Sequence, residues 1–133
     1  MSGITDYIDI IKDIIDDTPF ILSSDLEYEN RGGFALYLRG NIRFENFSQL
    51  FFKEFISYVS GTQYDKLAYS YHYQNSQNEL VFRYDNAEHH PEVQTFPHHK
   101  HLNSKEIIPC QPASLNSVML EIIDRLDKVN SQK

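Results

Sequence analysis

An alternation of apolar and polar residues from Phe20 to Asp85 restricts the fold more than any other feature of this chain. Side chains of a β-strand point alternately to its two faces, so this period predicts strands with one buried face. Turn-forming residues such as Asn30-Arg31-Gly32-Gly33 divide the alternation. The pattern predicts five antiparallel strands in meander order, at residues 20–29, 34–44, 48–59, 67–74 and 79–85. Only the third strand, with apolar residues on both sides between Leu50 and Ile56, has an ambiguous buried face.

Two helical patterns flank the strands. Apolar residues recur at helical spacing over residues 4–16, and this pattern ends at Thr18-Pro19 because the residue before proline resists the α region. Ser114 is a good N-cap for a last helix whose apolar stripe begins at Leu115. We therefore predict one α+β domain over residues 1–133, a five-stranded antiparallel meander sheet with the N- and C-terminal helices packed on one face. The other face would be free to bind.

The fourth and fifth predicted strands form a hairpin with two different faces. A two-residue loop would pair His72 with Val81 and Ser70 with Arg83. The tyrosines of the fourth predicted strand and Phe82 of the fifth would then form an aromatic core on one side of the hairpin. His72, Ser70 and Arg83 would lie on the other side.

Five of the six histidines fall within residues 82–101, FRYDNAEHHPEVQTFPHHKH. Pro91 and Pro97 each lie beside a His-His pair, and proline fixes φ and removes a backbone donor. A helix interior or a central strand is therefore excluded for the tail of this segment. We predict an ordered, extended loop after the last hairpin, and we expect the functional site there.

Histidine gains or loses a proton near neutral pH, which suits acid–base chemistry on a phosphodiester. In this interpretation His99 and His101 are the acid–base pair, and Arg83 holds the phosphate because its planar fork matches phosphate oxygens. The other candidates are further catalytic histidines, a second phosphate-binding cation, two substrate-binding tyrosines that could stack a base, and two supporting residues. These are His72, His89, His90, Lys100, Tyr71, Tyr73, Asp85 and Asn86.

The same residues allow two other interpretations. Histidine-rich tracts often coordinate metal, and His89, His99 and His101 would then hold a divalent ion such as zinc or manganese, whereas the acid–base interpretation needs no cofactor. The second interpretation is structural: the histidines satisfy buried backbone groups, and Arg83 pairs with Asp85. The main alternative to an enzyme is thus a non-enzymatic binding module, whose histidine-rich loop binds a metal ion or a protein partner.

Charge and cysteine content indicate the setting. A net charge of −7 with neutral histidines argues against a general basic surface for nucleic acid, but allows a small basic site and suits a basic partner. The single cysteine, Cys110, points to a reducing compartment. The N-terminal segment lacks the basic and apolar regions of a signal peptide, and no apolar run is long enough to span a membrane. We expect a cytoplasmic protein.

The segments YSYHYQN and LVFRYDNAEHHPEVQTFPHHKH, with the closing Pro-Ala-Ser-Leu helix, resemble the TumE-type toxins of type II toxin–antitoxin modules. That family's pattern is roughly Y-x-Y-H, then FR-x-DN-x-PHH-P-E, then T-x-P-x-H-x-H. The matching residues here are Tyr69, Tyr71, His72, Phe82, Arg83, Asp85, Asn86, His89, His90, Pro91, Glu92, Thr95, Pro97, His99 and His101. Glu88 stands where the family usually has proline.

The resemblance implies a cytosolic toxin that a cognate antitoxin neutralises, often a helix-turn-helix DNA-binding protein. RNA cleavage is the commonest mode among small toxins. Together with the residues above, this analogy predicts a ribonuclease, with RNA as substrate.

Overall fold

The computed structural model describes residues 3–61, 63–88 and 90–131, with side chains through residue 128. Helix α1 (Ile4–Asp17) opens the chain and helix α2 (Leu115–Ser131) closes it. Seven strands lie between them: β1 (Ile21–Arg31), β2 (Ala35–Phe44), β3 (Gln49–Ser60), β4 (Gln63–Gln74), β5 (Leu80–Asp85), β6 (His99–Leu102) and β7 (Ile107–Pro109). The α+β class and the element order from α1 to β5 are confirmed.

The strands form one antiparallel meander sheet in which each strand pairs with the next in the chain. The predicted number of five strands was wrong, because β6 and β7 extend the sheet where a loop and a connector were expected. Four and three residues are too few to show a period in the sequence. Pro109 ends β7 at the sheet edge, where the missing N–H donor is tolerated.

Both helices pack on the same face of the sheet, as predicted. The isoleucines of α1 and the apolar stripe of α2 form one core with inward side chains of β2 to β5, including Leu36, Phe52, Tyr71 and Phe82. Each such side chain contributes roughly 1.5–3 kcal/mol relative to leaving it exposed. Ser114 caps α2 as expected, since its Oγ accepts a hydrogen bond from the backbone N–H of Ser117 at 3.1 Å.

The β4–β5 hairpin has the predicted faces but another register. His72 lies opposite Arg83, not opposite Val81 as expected for a two-residue loop. The turn is longer because the Asn75 side chain accepts hydrogen bonds from two backbone N–H groups within it, and Asn78 adopts a positive φ of 64°. A shift of two residues leaves every side chain on its original face. The aromatic side is therefore the buried one.

Candidate functional site

The sheet face opposite the helices, here called the open face, carries two rows of side chains that run across the strands. Paired positions of β1 to β6 form the first row: Asp25, Asn41, Phe51, His72, Arg83 and His101. The neighbouring paired positions form the second row: Glu27, Arg39, Lys53, Ser70, Asp85 and His99. Successive pairing thus places residues from six strands side by side.

Two adjoining cavities lie on the open face. The larger, about 680 Å³, is a cleft over β1 to β5 that is lined by polar and charged side chains together with Leu26, Phe51 and Phe52. The smaller, about 420 Å³, lies beside the loop between β5 and β6 and is lined by Asp85, His90 and His101, among others. His72 and Arg83 line both cavities, so they mark the junction between them.

Arg83 lies between two histidines in the first row. Neighbouring strands are about 4.8 Å apart, so the backbones at His72 and His101 are about 10 Å apart with Arg83 midway. The Arg83 side chain is 43% exposed, and its Nε donates to Oδ2 of Asp85 at 3.0 Å. Because this bond engages Nε alone, the two terminal guanidinium nitrogens make no hydrogen bond within the described part of the chain. They are available to a phosphate.

The two flanking histidines share a direction of pKa shift but differ in their neighbours. Burial lowers the pKa of His72, and the nearby Arg83 cation lowers it further, against a hydrogen bond to Gln74 that raises it. Burial also lowers the pKa of His101, but there the Asp85 carboxylate, 3.5 Å from Nε2, opposes the shift by favouring the imidazolium. The Arg83 cation thus favours the neutral imidazole at His72, whereas the Asp85 carboxylate works against the effect of burial at His101.

Asp85 is the centre of a buried polar cluster at the end of β5. It is 4% exposed, and its Oδ1 accepts a hydrogen bond from the backbone N–H of Ala87 at 3.1 Å. Its two oxygens also lie close to His99 and His101, at 2.8 Å and 3.5 Å from Nε2 of each ring. One carboxylate thus contacts Arg83 and two imidazoles.

His99 is 1% exposed and is held by the loop that precedes it. Its Nδ1 lies 2.9 Å from the backbone carbonyl oxygen of Pro97, which fixes the proton on Nδ1. Its Nε2 lies near Asp85 but in a direction that makes no hydrogen bond, so this buried nitrogen has no hydrogen-bond partner within the described residues. A buried nitrogen without a partner is unusual and calls for an explanation.

His90 joins the same cluster from the loop between β5 and β6. Its ring centroid lies 5.1 Å from that of His99 and 5.7 Å from that of His101. One ligand nitrogen from each of the three rings lies within 4.8 Å of the others. His89, expected both as a catalytic residue and as a metal ligand, lies outside the described residues.

Three predicted substrate-binding residues lie on the helix-covered face, and this corrects the expectation that they meet RNA. Tyr71 and Tyr73 are buried in the core. Lys100 alternates with His99 and His101 along β6, so it points inward and pairs with Glu121 of α2 at 3.0 Å. Successive side chains of a strand point to opposite faces, so Lys100 cannot share a face with His99 and His101. A loop, as predicted for this segment, would not impose this alternation.

Asn86, which was expected to be a supporting residue of the site, forms hydrogen bonds to the backbone of β4. Its side-chain oxygen accepts a hydrogen bond from the backbone N–H of Tyr69 at 3.0 Å, and its Nδ2 donates to the carbonyl oxygen of Leu67 at 3.1 Å. These two bonds tie the start of the loop to β4. The loop is therefore anchored beside the cluster that it covers.

A second buried polar cluster, which the sequence pattern did not predict, surrounds Glu54 on the helix-covered face. Glu54 is 1% exposed, accepts hydrogen bonds from the hydroxyls of Tyr7 and Tyr71, and lies 3.7 Å from Nζ of Lys66. Burial raises the pKa of Tyr71 and lowers that of Lys66, against the attraction of Glu54, which raises it. A strict period of two from Leu50 would have placed Glu54 inward.

Comparison with protein-family models matches residues 11–130 to the family described as Toxin TumE. The chain belongs to the TumE toxin family. It is thus the toxin component of a toxin–antitoxin module, and an antitoxin is its partner. No curated protein and no solved structure matched the chain in the same comparisons. Among the described residues, no helix has the length and apolar character needed to cross a membrane.

Proposed function

We propose that this TumE-family toxin cleaves RNA on the open face of its sheet, at the row formed by His72, Arg83 and His101. The observation that carries the proposal is the placement of a half-exposed arginine between two histidines on three neighbouring strands. Phosphoryl transfer through 2′-OH attack needs one proton acceptor, one proton donor and a cation for the phosphate. The row supplies all three.

The cleft over β1 to β5 gives the RNA strand a path to this row. Arg39 on β2 and Lys53 on β3 line the same cleft as Arg83, in a chain whose net charge is −7. Arg39 pairs with the exposed Glu27 at 2.7 Å, and both cations suit phosphate groups along the strand. Phe51 is 39% exposed in the same row as His72, with the two rings 6.3 Å apart. An exposed aromatic ring stacks bases without regard to sequence. This stacking role passes to Phe51 because Tyr71 and Tyr73 are buried.

The two histidines divide the chemistry. His72 takes the proton of the RNA 2′-OH as its oxygen attacks phosphorus, and His101 donates a proton to the 5′-oxygen as the P–O5′ bond breaks. The products are a 2′,3′-cyclic phosphate and a 5′-hydroxyl end. Arg83 neutralises the phosphate through its terminal nitrogens while Asp85 fixes its orientation. The sequence had favoured His99 as partner of His101, but a side chain that is 1% exposed cannot reach RNA.

The test is production of the toxin without its antitoxin, with growth and RNA integrity measured, followed by cleavage of a defined RNA by the purified chain. We expect wild type to arrest growth, and His72→Gln and His101→Gln each to reduce the cleavage rate roughly 10²–10⁴-fold. Arg83→Gln should behave similarly. Arg31→Gln is the matched control, because Arg31 is an exposed arginine at the far edge of the sheet, where it pairs with Glu29 and lies over the ring of Tyr37.

Two further conditions fix the mechanism. A DNA strand of the same sequence should stay intact because it lacks the 2′-OH nucleophile, and RNA cleavage should persist in EDTA. Intact RNA and normal growth with wild-type protein would contradict the proposal. So would a fully active Arg83→Gln variant.

A further inference from the structure

We propose that His90, His99, His101 and Asp85 form a binding site for a divalent transition-metal ion of the zinc class. The site goes beyond RNA cleavage, since ion binding needs no RNA and can be measured alone. It adjoins the cavity of about 420 Å³ that His90 and His101 line, and this cavity gives an ion a path from solvent.

The buried Nε2 of His99 is the first observation behind this site. With the proton held on Nδ1 by the carbonyl oxygen of Pro97, Nε2 carries a lone pair that needs a partner. A histidine that ligates a metal usually donates its other ring N–H to a carbonyl or carboxylate in this manner. A metal ion would satisfy this nitrogen, which makes no hydrogen bond to any residue that the structure describes.

The second observation is that His90 repeats the same arrangement. Its Nδ1 lies 3.1 Å from Oε1 of Glu92, which orients the ring and leaves Nε2 as the ligand atom. The three ligand nitrogens lie within 4.8 Å of one another. Around tetrahedral zinc, with bonds of about 2.0–2.1 Å, they would be roughly 3.3 Å apart. Binding therefore requires the partly exposed His90 and His101 to close on the fixed His99.

Asp85 completes the site. Its Oδ1 is 2.8 Å from Nε2 of His99, so one ion can contact both atoms, and Arg83 and the Ala87 N–H hold the carboxylate in place. Three imidazoles with one carboxylate favour zinc, cobalt or nickel, whereas magnesium and calcium prefer sites made of oxygen atoms. The ligand set thus selects the ion class.

Ion binding has a consequence for the function proposed above, and this one step depends on that proposal. A bound ion occupies the lone pair of His101 and holds the ring, so His101 can no longer donate a proton to RNA. We expect zinc to suppress the metal-free cleavage. Cleavage that rises with zinc would instead overturn the acid role of His101, whereas the ion-binding measurement would stand.

The test uses the full chain, stripped with chelator and titrated with zinc(II) by calorimetry, with magnesium(II) as the comparison ion. We expect one zinc per chain, no measurable magnesium binding, and a visible absorption spectrum of bound cobalt(II) typical of tetrahedral coordination. His90→Gln and His101→Gln should each weaken zinc binding at least tenfold. Both side chains are partly exposed, so these variants test the site without disturbing the buried His99.

His72→Gln is the matched control for zinc affinity, because His72 lies on the same face but outside the cluster. It should lose RNA cleavage and retain zinc binding, which separates failure of the site from failure of the proposed function. The proposal is overturned if the wild-type chain binds no stoichiometric zinc. It is also overturned if His90→Gln and His101→Gln bind zinc as tightly as wild type.

Discussion

Two buried carboxylates, Glu54 and Asp85, lie on opposite faces of one sheet and have opposite kinds of surroundings. Glu54 accepts hydrogen bonds from two tyrosine hydroxyls and lies beside Lys66, whose Nζ also donates to the hydroxyl of Tyr71 at 2.6 Å and to the carbonyl oxygen of Ala113 at 3.0 Å. The helices cover this group. Asp85 binds Arg83 and the Ala87 backbone N–H, but it borders a cavity and Nε2 of His99, which has no hydrogen-bond partner among residues 3–61, 63–88 and 90–131.

The difference shows which property marks a functional site in this molecule. Both carboxylates are almost fully buried, so burial of charge does not distinguish them. Glu54 also lines a cavity, of about 140 Å³, but the hydrogen-bonding groups of its cluster find partners within the protein, as expected of a structural network. The cluster around Asp85 combines an opening to solvent with a buried nitrogen that has no hydrogen-bond partner in the described part of the chain. An incomplete, accessible cluster is where a ligand can contribute.

The largest expected effect breaks the cluster around Glu54. Glu54→Gln removes the negative charge beside Lys66 and weakens the hydrogen bonds from Tyr7 and Tyr71, so an ammonium stays mostly buried with no counter-charge. We expect the free energy of unfolding to fall by about 3 kcal/mol, as is typical when one partner of a buried pair is removed. Urea denaturation of the variant and of wild type measures this.

Asp85→Asn is the matched change on the open face, again a carboxylate replaced by its amide. We expect it to lower the free energy of unfolding by only about 1 kcal/mol, because the pair with the half-exposed Arg83 is screened by solvent. Its main effect should be weaker zinc binding and slower RNA cleavage. Equal losses of stability in the two variants would remove the distinction drawn between a structural and a functional carboxylate.

A further prediction concerns close packing on the helix-covered face. A Cβ added at Gly40 would lie 2.3 Å from the ring of Phe52, so Gly40→Ala forces that buried ring to move. We expect a loss of about 1–3 kcal/mol in the free energy of unfolding, the usual cost of overpacking a core. Phe52→Leu should relieve the overlap, so Gly40→Ala should cost less in that background. An equal cost in both backgrounds would show that another contact limits this position.

The sequence predicted the fold as far as its periodic signals reach. Long alternating strands such as β2 and β4, and the isoleucine pattern of α1, carry enough repeats to identify their elements and faces. The short β6 and β7 contain too few repeats for this, and Pro91 and Pro97 favoured a loop instead. The sheet continues there because β5 presents a free edge that β6 can pair with.

The candidate site was predicted by composition but not by geometry. The histidines and the arginine indicated phosphate chemistry or metal binding. His72, Arg83 and His101 do lie on one face of the sheet. Which of them reach solvent depends on the β5–β6 register, which sets His101 opposite Arg83 and buries His99 beside Asp85. No periodic pattern in the sequence contains that register.

The smallest expected effect tests the surroundings of His72, at one end of the His72–Arg83–His101 row. Burial and the Arg83 cation lower the pKa of His72 in the folded chain, whereas an unfolded histidine titrates near 6.5. The unfolded state therefore binds more protons just below that pH, and the free energy of unfolding should fall as the pH drops from about 7 towards 5. His72→Gln removes this contribution, so its stability should depend less steeply on pH than that of wild type. Urea midpoints across this range measure the difference. A steeper dependence in the variant would mean that a nearby carboxylate dominates at His72, as Asp85 opposes burial at His101, and the base role would then not suit His72.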